Sequence, residues 1–167
     1  MPSEADVLNV ALGKIGASRV AAIDDGSINA NFCATFYPPL RRSILRSHRW
    51  NFAEERAVLA QDAAVPLFEF AFSYPLPSDL LAIREFNGAS PSSVGLTLTE
   101  LQLLPFSGRY KIEGRKLLTN DGEVKIVYTK DVIDPNLWDT LFFQVVTAWL
   151  ASDLASAIAK DSALSRA

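Results

Sequence analysis

Apolar residues recur with a helical period at both ends of this chain and with a period of two in its middle. That switch limits the possible fold more than any single motif does. Near the start, Leu8, Ala11, Leu12 and Ile15 follow the i, i+3, i+4, i+7 pattern, with Ser3 placed to cap a first helix and Gly16 to end it. After Asp24-Asp25-Gly26-Ser27, the stripe Cys33, Phe36, Leu40 and Ile44 predicts a second helix. Its weak point is Tyr37-Pro38-Pro39, because two prolines remove backbone donors and crowd preceding carbonyls. The expectation is a kink near Pro38 or a restart with Pro39 in the first turn. At the other end, Asp134-Pro135 opens a long helix with Trp138, Phe142, Val145 and Trp149 on one face and Leu141, Leu154 and Ile158 alongside.

Between these ends, Phe68, Phe70 and Phe72 alternate with Glu69, Ala71 and Ser73, as in a half-buried strand. Tyr74-Pro75-Leu76-Pro77-Ser78-Asp79 is expected to break the ladder, and Leu81 to Phe86 reads as a further strand. Tyr110 to Glu113 and Lys116 to Thr119 flank Gly114-Arg115 and lead into Val124, Ile126 and Tyr128, a small antiparallel meander. The stretch from Asn87 to Arg109 is rich in Ser, Gly and Pro yet carries Leu96, Leu98, Leu101, Leu103, Leu104 and Phe106; a loop of that length usually has a task. The expected fold class is α+β: a helical bundle from both chain ends with a small antiparallel strand-rich region inserted in the middle. Residues 1–167 are read as a single domain, with a helical part at 1–60 and 131–167 and the insertion at 61–130. Arg49-Trp50-Asn51-Phe52-Ala53 marks the corner where coil gives way to extended chain.

A chain of 167 residues can bury a core without disulfides or metal staples. Hydrophobic residues make up 49% and charged residues 21%, with a mean hydropathy of +0.14. The apolar surplus goes either into a dense core or under neighbouring subunits. A net charge of −3 argues against general binding to a phosphate backbone. Cys33 is the only cysteine and His48 the only histidine, so a thiolate metal site, a histidine-rich metal site and a Cys/His dyad are poorly supplied. Cys33 reads as a small core hydrophobe and His48 as a solvated helix-end residue. No phosphate-cradling glycine loop, zinc-helix signature or nucleophile elbow occurs, and no cofactor is expected. The start of the chain lacks a basic and apolar leader and no uninterrupted apolar run approaches the ~18 residues of a span, so a protein made and kept in the cytosol, or in a particle assembled there, is expected, with no membrane partner. Asp24-Asp25 and Glu54-Glu55 are carboxylate pairs that serve glycoside hydrolysis only if folding sets an acid and a base ~5 to 10 Å apart.

The best-formed polar feature is basic. Arg42, Arg46 and Arg49 are spaced i, i+4, i+7, with Arg41 beside them and Arg56 just beyond. Against Glu54 and Glu55 these five arginines leave residues 41–56 at +3, so the rest of the chain carries −6. The stripe is either a solvated face with local ion pairs or a contact for an acidic neighbour or a passing phosphate, with protein the preferred partner.

Several segments come in a particular order: Leu12-Gly13-Lys14-Ile15-Gly16, Ile23-Asp24-Asp25, Phe36-Tyr37-Pro38, Arg41-Arg42, and His48 through Ala53. Arg56-Ala57-Val58-Leu59-Ala60 follows, then Tyr74 to Leu80, Ile126-Val127-Tyr128, and a last helix from Phe142 to Ile158. This order resembles the head-to-tail adaptor (connector) family of tailed bacteriophages, the tail tubular protein A-like proteins, over nearly the whole chain. The resemblance implies a virion structural protein rather than an enzyme: a homo-oligomeric ring, typically dodecameric, below the portal protein at the head-tail junction. It would bind the portal and a downstream tail or stopper protein, and leave a channel through which double-stranded DNA passes without sequence-specific binding. Carried onto this chain, the subunit and portal interface falls on Arg42, Arg46, Arg49, Trp50, Phe52, Trp149, Leu154 and Ile158. The tail-facing loop falls on Leu96, Leu98, Leu101, Leu103 and Phe106. Ser162 to Ala167 ends where members of that family often continue, a departure from their pattern. The alternatives are a phage-associated peptidoglycan hydrolase on the same scaffold, with Glu54 and Glu55 as first candidates, an unrelated small α+β binding module, and DNA binding through the arginine stripe.

Overall fold

The computed structural model describes residues 2–88 and 110–164. The chain is α+β, with helices from both ends and two small antiparallel sheets between them. It divides into two compact units, Met1–Ala53 with Asp131–Ala167, and Glu54–Lys130.

The first unit contains α1 (Glu4–Lys14), α2 (Ile28–Ser47) and α3 (Thr140–Leu164). The α1 start is a capping box, in which Ser3 Oγ accepts from the Asp6 amide at 3.2 Å and Asp6 accepts from the Ser3 amide at 2.8 Å. Past its end, Gly16 adopts φ 69°, the left-handed conformation that lets the Ala17 amide reach back to the Leu12 carbonyl at 3.0 Å. Asn9 then pins the connecting loop, accepting from the Val20 amide at 2.8 Å and donating to the Val20 carbonyl at 2.9 Å. Both α1 and α2 pack on α3, burying Val7, Leu8, Ala11 and Leu12 from α1, and Ala30, Cys33, Ile44 and Leu45 from α2. Facing them from α3 are Phe142, Val146, Leu150 and Leu154, all fully buried.

Three local expectations change. The second helix does not restart at Pro39 but runs through both prolines, from Ile28 to Ser47. The carbonyls of Ala34 and Thr35, which lose their i+4 donors to the prolines, belong to exposed residues and can be served by water. The buried stripe of α2 is also turned from the expected one: Tyr37 and Arg41 are inside, while Phe36 and Leu40 are only half-buried. Asp134-Pro135 opens only a 3-10 turn, Pro135–Leu137; the long helix starts at Thr140, where Asp139 accepts from the Leu141 amide at 2.7 Å.

In the second unit, β1 (Glu54–Leu59), β6 (Val124–Lys130) and β3 (Leu80–Phe86) form one sheet with β6 central. A second sheet has β5 (Lys116–Thr119) between β2 (Phe72–Pro75) and β4 (Tyr110–Glu113). Leu59, Phe86, Val124, Ile126 and Tyr128 from the first sheet meet Tyr74 and Leu117 from the second in one core cluster. The expected meander holds only for the β4–β5 hairpin, since β6 joins the other sheet. Phe68 and Phe70 are not strand residues, whereas Tyr74 and Pro75 are: β2 lies at an edge of its sheet, and a proline at the end of an edge strand costs no ladder donor. Extended structure begins at Glu54, immediately after the 3-10 turn Asn51–Ala53.

Candidate interaction surface

The corner after α2 is built by aromatic packing around one ring. Phe142, fully buried, has ring centroids at 4.8 Å from Trp138, 5.1 Å from Trp50 and 5.1 Å from Phe52, all edge to face. Each indole N–H is spent on a backbone carbonyl, Trp50 on Ile44 at 3.1 Å and Trp138 on Val132 at 3.0 Å. These bonds fix the rings at their polar edges. Trp50 and Phe52 are therefore half-buried members of the core, with His48 stacked edge-on against Trp50 at 4.9 Å. Outside the cluster opens a hollow of about 380 Å³, lined by Arg49, Trp50, Asn51, Leu137, Trp138 and Asp139.

Two of the arginines have an internal task. Arg41 Nη2 and Arg42 Nε each lie 2.8 Å from a different oxygen of Asp131, and Arg41 Nε adds a bond at 3.1 Å. The Arg41 side chain is 4% exposed, that of Asp131 10% and that of Arg42 57%, so one ion pair is buried and the second is a surface buttress. The Arg41 guanidinium also lies 5.6 Å from the Tyr37 ring centroid. Burial pushes the Tyr37 hydroxyl up to about 12. Asp131 joins α2 to the start of the C-terminal segment, a pairing whose sequence signal, a lone aspartate far from the basic stripe, is too weak to read in advance. Arg42, Arg46 and Arg49 are exposed.

The other candidate residues separate. Leu154 is fully buried in the chain's own core and Ile158 half-buried, whereas Trp149 is exposed. Trp149 and Leu141 share the outer side of α3, at 54% and 58% exposure, and Trp149 borders a shallow hollow with Leu40, Ser152 and Asp153. Thr140–Ile158 is long and apolar enough to cross a membrane, at 19 residues and mean hydropathy 1.5. Its inner face is filled by α1 and α2, the pattern of a core helix with an uncovered outer face. Leu96, Leu98, Leu101, Leu103 and Phe106, the expected tail-facing loop, lie outside the described residues.

The carboxylate pairs take other work. Asp25 accepts from the Ala21 and Ser27 amides at 2.8 and 2.9 Å; hydrogen bonds from Ser27, then Ala21, hold its carboxyl down at about 2. Glu54 and Glu55 are neighbours on β1 and so point to opposite faces, with Glu55 3.3 Å from Lys130 Nζ. Cys33 is buried, and desolvation pushes its thiol up to about 11. Among the described residues no group of three or more His, Cys, Asp or Glu side chains is placed to hold a metal ion.

A second apolar feature was not anticipated as a surface. The turn from 60 to 71 is tied at both ends: the Asp62 amide donates to the Ser73 carbonyl at 2.7 Å, Asp62 pairs with Lys116 at 2.5 Å, and the Ala71 amide donates to Asn120 Oδ1 at 2.8 Å. Between the ties, Val65, Leu67 and Phe68 are 70%, 97% and 79% exposed, and Glu69 is held at φ 71°. The alternation of phenylalanines concealed this, because the pattern reads as a strand. The available signal was Pro66 within an apolar run. No protein-family model matches the chain, and no curated protein matches it.

Proposed function

We propose that this chain is a structural head-to-tail adaptor of a tailed bacteriophage, made in the host cytoplasm and built into the head-tail junction as a ring below the portal. In this reading the helices from both chain ends act as one bundle that meets neighbouring subunits and the portal. The strand-rich unit meets the next tail component, and DNA passes through the central channel on ejection. The observation that carries the reading is α3, which buries one apolar face in its own unit and leaves Leu141 and Trp149 uncovered on the other. Large apolar side chains left exposed opposite a helix's buried face are favourable to cover, and identical neighbours in a ring would do so. The exposed Arg42, Arg46 and Arg49 stripe and a net charge of −3 favour contacts between oppositely charged protein surfaces over a grip on DNA. The ordered set of segments from Leu12 to Ile158 supports the same class.

The test is electron microscopy and mass photometry of the purified chain with and without purified portal rings. A closed ring coaxial with the portal is the expected result. A chain that stays monomeric at tens of micromolar and ignores portal rings overturns the proposal.

A further inference from the structure

We propose that Asn87 is a site of spontaneous deamidation, held shut by its own hydrogen bonds, at which the acid formed during an opening keeps the turn from closing as before. Asn87-Gly88 is the one Asn-Gly pair in the sequence. A glycine on the C-terminal side has no Cβ to keep its backbone nitrogen away from the asparagine side chain, so nucleophile and electrophile are neighbours. Both residues have left-handed backbones where β3 ends, with φ 47° at Asn87 and 78° at Gly88. Gly88 is exposed and Asn87 half-buried, so burial does not keep water and base from the pair. The protection lies in side-chain bonds.

The carboxamide reaches from the end of β3 to the turn between β5 and β6. Asn87 Nδ2 donates to Asp121 Oδ2 at 2.8 Å and to the Glu123 carbonyl at 3.1 Å, while Oδ1 accepts from the Lys125 amide at 2.8 Å. The Asn87 amide donates in turn to the Lys125 carbonyl at 2.8 Å, one residue beyond the Phe86–Ile126 pair of the ladder. While these bonds hold, Cγ is not free to swing toward the Gly88 nitrogen, and the reaction waits for local opening. In the open turn the Gly88 nitrogen, its proton lost to solvent base, attacks Cγ. The new C–N bond closes a five-membered imide, and the side-chain nitrogen takes up a proton and leaves as ammonia. Water then opens the ring at either carbonyl to an aspartyl or isoaspartyl residue, so water is consumed, ammonia is released and nothing is oxidised or reduced. The product does not fit the bonds its parent left. Where the amide had two donors the carboxylate has lone pairs, and these face the Asp121 carboxylate and the Glu123 carbonyl. The other charged groups nearby are Glu85 on β3 and, with it around the hollow that Gly88 borders, Arg56 and Lys125, whose Nζ lies 3.0 Å from the Glu123 carboxylate.

Peptide mapping by mass spectrometry of the full chain, aged in mildly alkaline buffer with and without urea, tests the protection. Conversion of Asn87 is expected to run several-fold faster in urea than in the folded chain. Asp121→Ala, which removes one acceptor, is expected to speed conversion in the folded chain and to leave the rate in urea unchanged. Asn87→Asp stands in for the product and tests the latch. Its urea midpoint should fall below that of the parent at neutral pH, and the gap should narrow as pH falls toward about 4, where the new carboxyl takes up a proton and donates again. The facing Asp121 carboxylate raises the pKa of the new group in the folded chain, so the penalty is absent below the unfolded-state value and complete above the folded-state one. Asn87→Ala, with no proton to gain, should show less narrowing. Equal conversion rates with and without urea, no conversion in urea, or an Asn87→Asp variant as stable as the parent at neutral pH each overturns the proposal. All of these contacts lie within the strand unit, so its failure leaves the adaptor reading as it stands.

Discussion

In the helical unit a buried ion pair, Arg41 to Asp131, and a hydrogen bond from Lys14 to Thr147 at 3.2 Å join the two ends of the chain, whereas the strand unit centres on an apolar cluster and its ion pairs, Lys116 to Asp62 and Lys130 to Glu55, are partly exposed. The strand unit buries Ser73, Thr119 and Thr129 as well, and its core tyrosines find partners: the Tyr74 hydroxyl donates to the Asp121 carbonyl at 2.9 Å, and the Tyr128 hydroxyl to Asp79 at 3.3 Å. The difference is one of chain logic. A unit made from both ends of a polypeptide must specify how the ends find each other, and a buried charge pair does so with more geometric selectivity than apolar packing. A unit made from one contiguous stretch does not have to bring the two ends of the chain together, and apolar burial carries more of its specification.

The largest expected effects compare the two cores directly. Phe142→Ala in the helical unit and Phe86→Ala in the strand unit each remove a fully buried ring and should cost about 3 to 5 kcal/mol. All tryptophans, Trp50, Trp138 and Trp149, lie in the helical unit, so tryptophan fluorescence reports that unit while circular dichroism reports both. If the units keep separate stabilities, Phe86→Ala will shift the dichroism midpoint in urea more than the fluorescence midpoint; coincident shifts would break the comparison.

Next comes the charge pair. Asp131→Ala strands the buried Arg41 guanidinium and is expected to cost about 3 kcal/mol, against less than about 1 kcal/mol for Arg42→Ala, whose side chain is mostly in water. Equal losses in chemical denaturation would mean that the exposed arginine is as important as the buried one. A smaller effect is expected at the caps, where Ser3→Ala should cost about 1 kcal/mol by removing the side-chain half of the α1 capping box. The smallest is the acid response of the turn before α2. The Asp25 carboxyl titrates below its ordinary 3.8, at about 2, so the stability it adds is present above about pH 4 and fades as pH falls through about 2. A carboxyl NMR titration with a midpoint near 4 would remove that contribution.

Much of this was legible in the residues. The period switch placed helices at the ends and strands between, and Leu81 to Phe86, Tyr110 to Glu113 and Lys116 to Thr119 fall where alternation and turn residues put them. Ser3 and Gly16 bound the first helix because capping chemistry is local. What escaped was set by partners distant in sequence. The buried stripe of α2 includes Arg41, a residue polarity alone assigns to the surface, because Asp131 neutralises it there. β6 left the meander because its backbone pairs with β1 and β3 while Val124, Ile126 and Tyr128 enter the core cluster, and alternation says which face is apolar without naming the neighbour. Within the candidate surface, Arg42, Arg46, Arg49 and Trp149 are exposed while Leu154 is core, and Trp149 does not share the buried face of Phe142 as its spacing suggested; apolar periodicity on a helix rich in apolar residues on more than one side does not tell inner from outer.

The paired prolines inside α2 give that helix a seam. With no amide proton at Pro38 or Pro39, the ladder of intrahelical bonds is interrupted for two successive residues, and the turns from Ile28 and the turns toward Ser47 are held mainly by what each packs against. Deuterium uptake along α2 will then divide at the seam into two kinetic groups. The first half is held by its buried Ala30, Cys33 and Tyr37 and the second by Ile44, Leu45 and the Arg41 pair, so each exchanges at the rate its own contacts set.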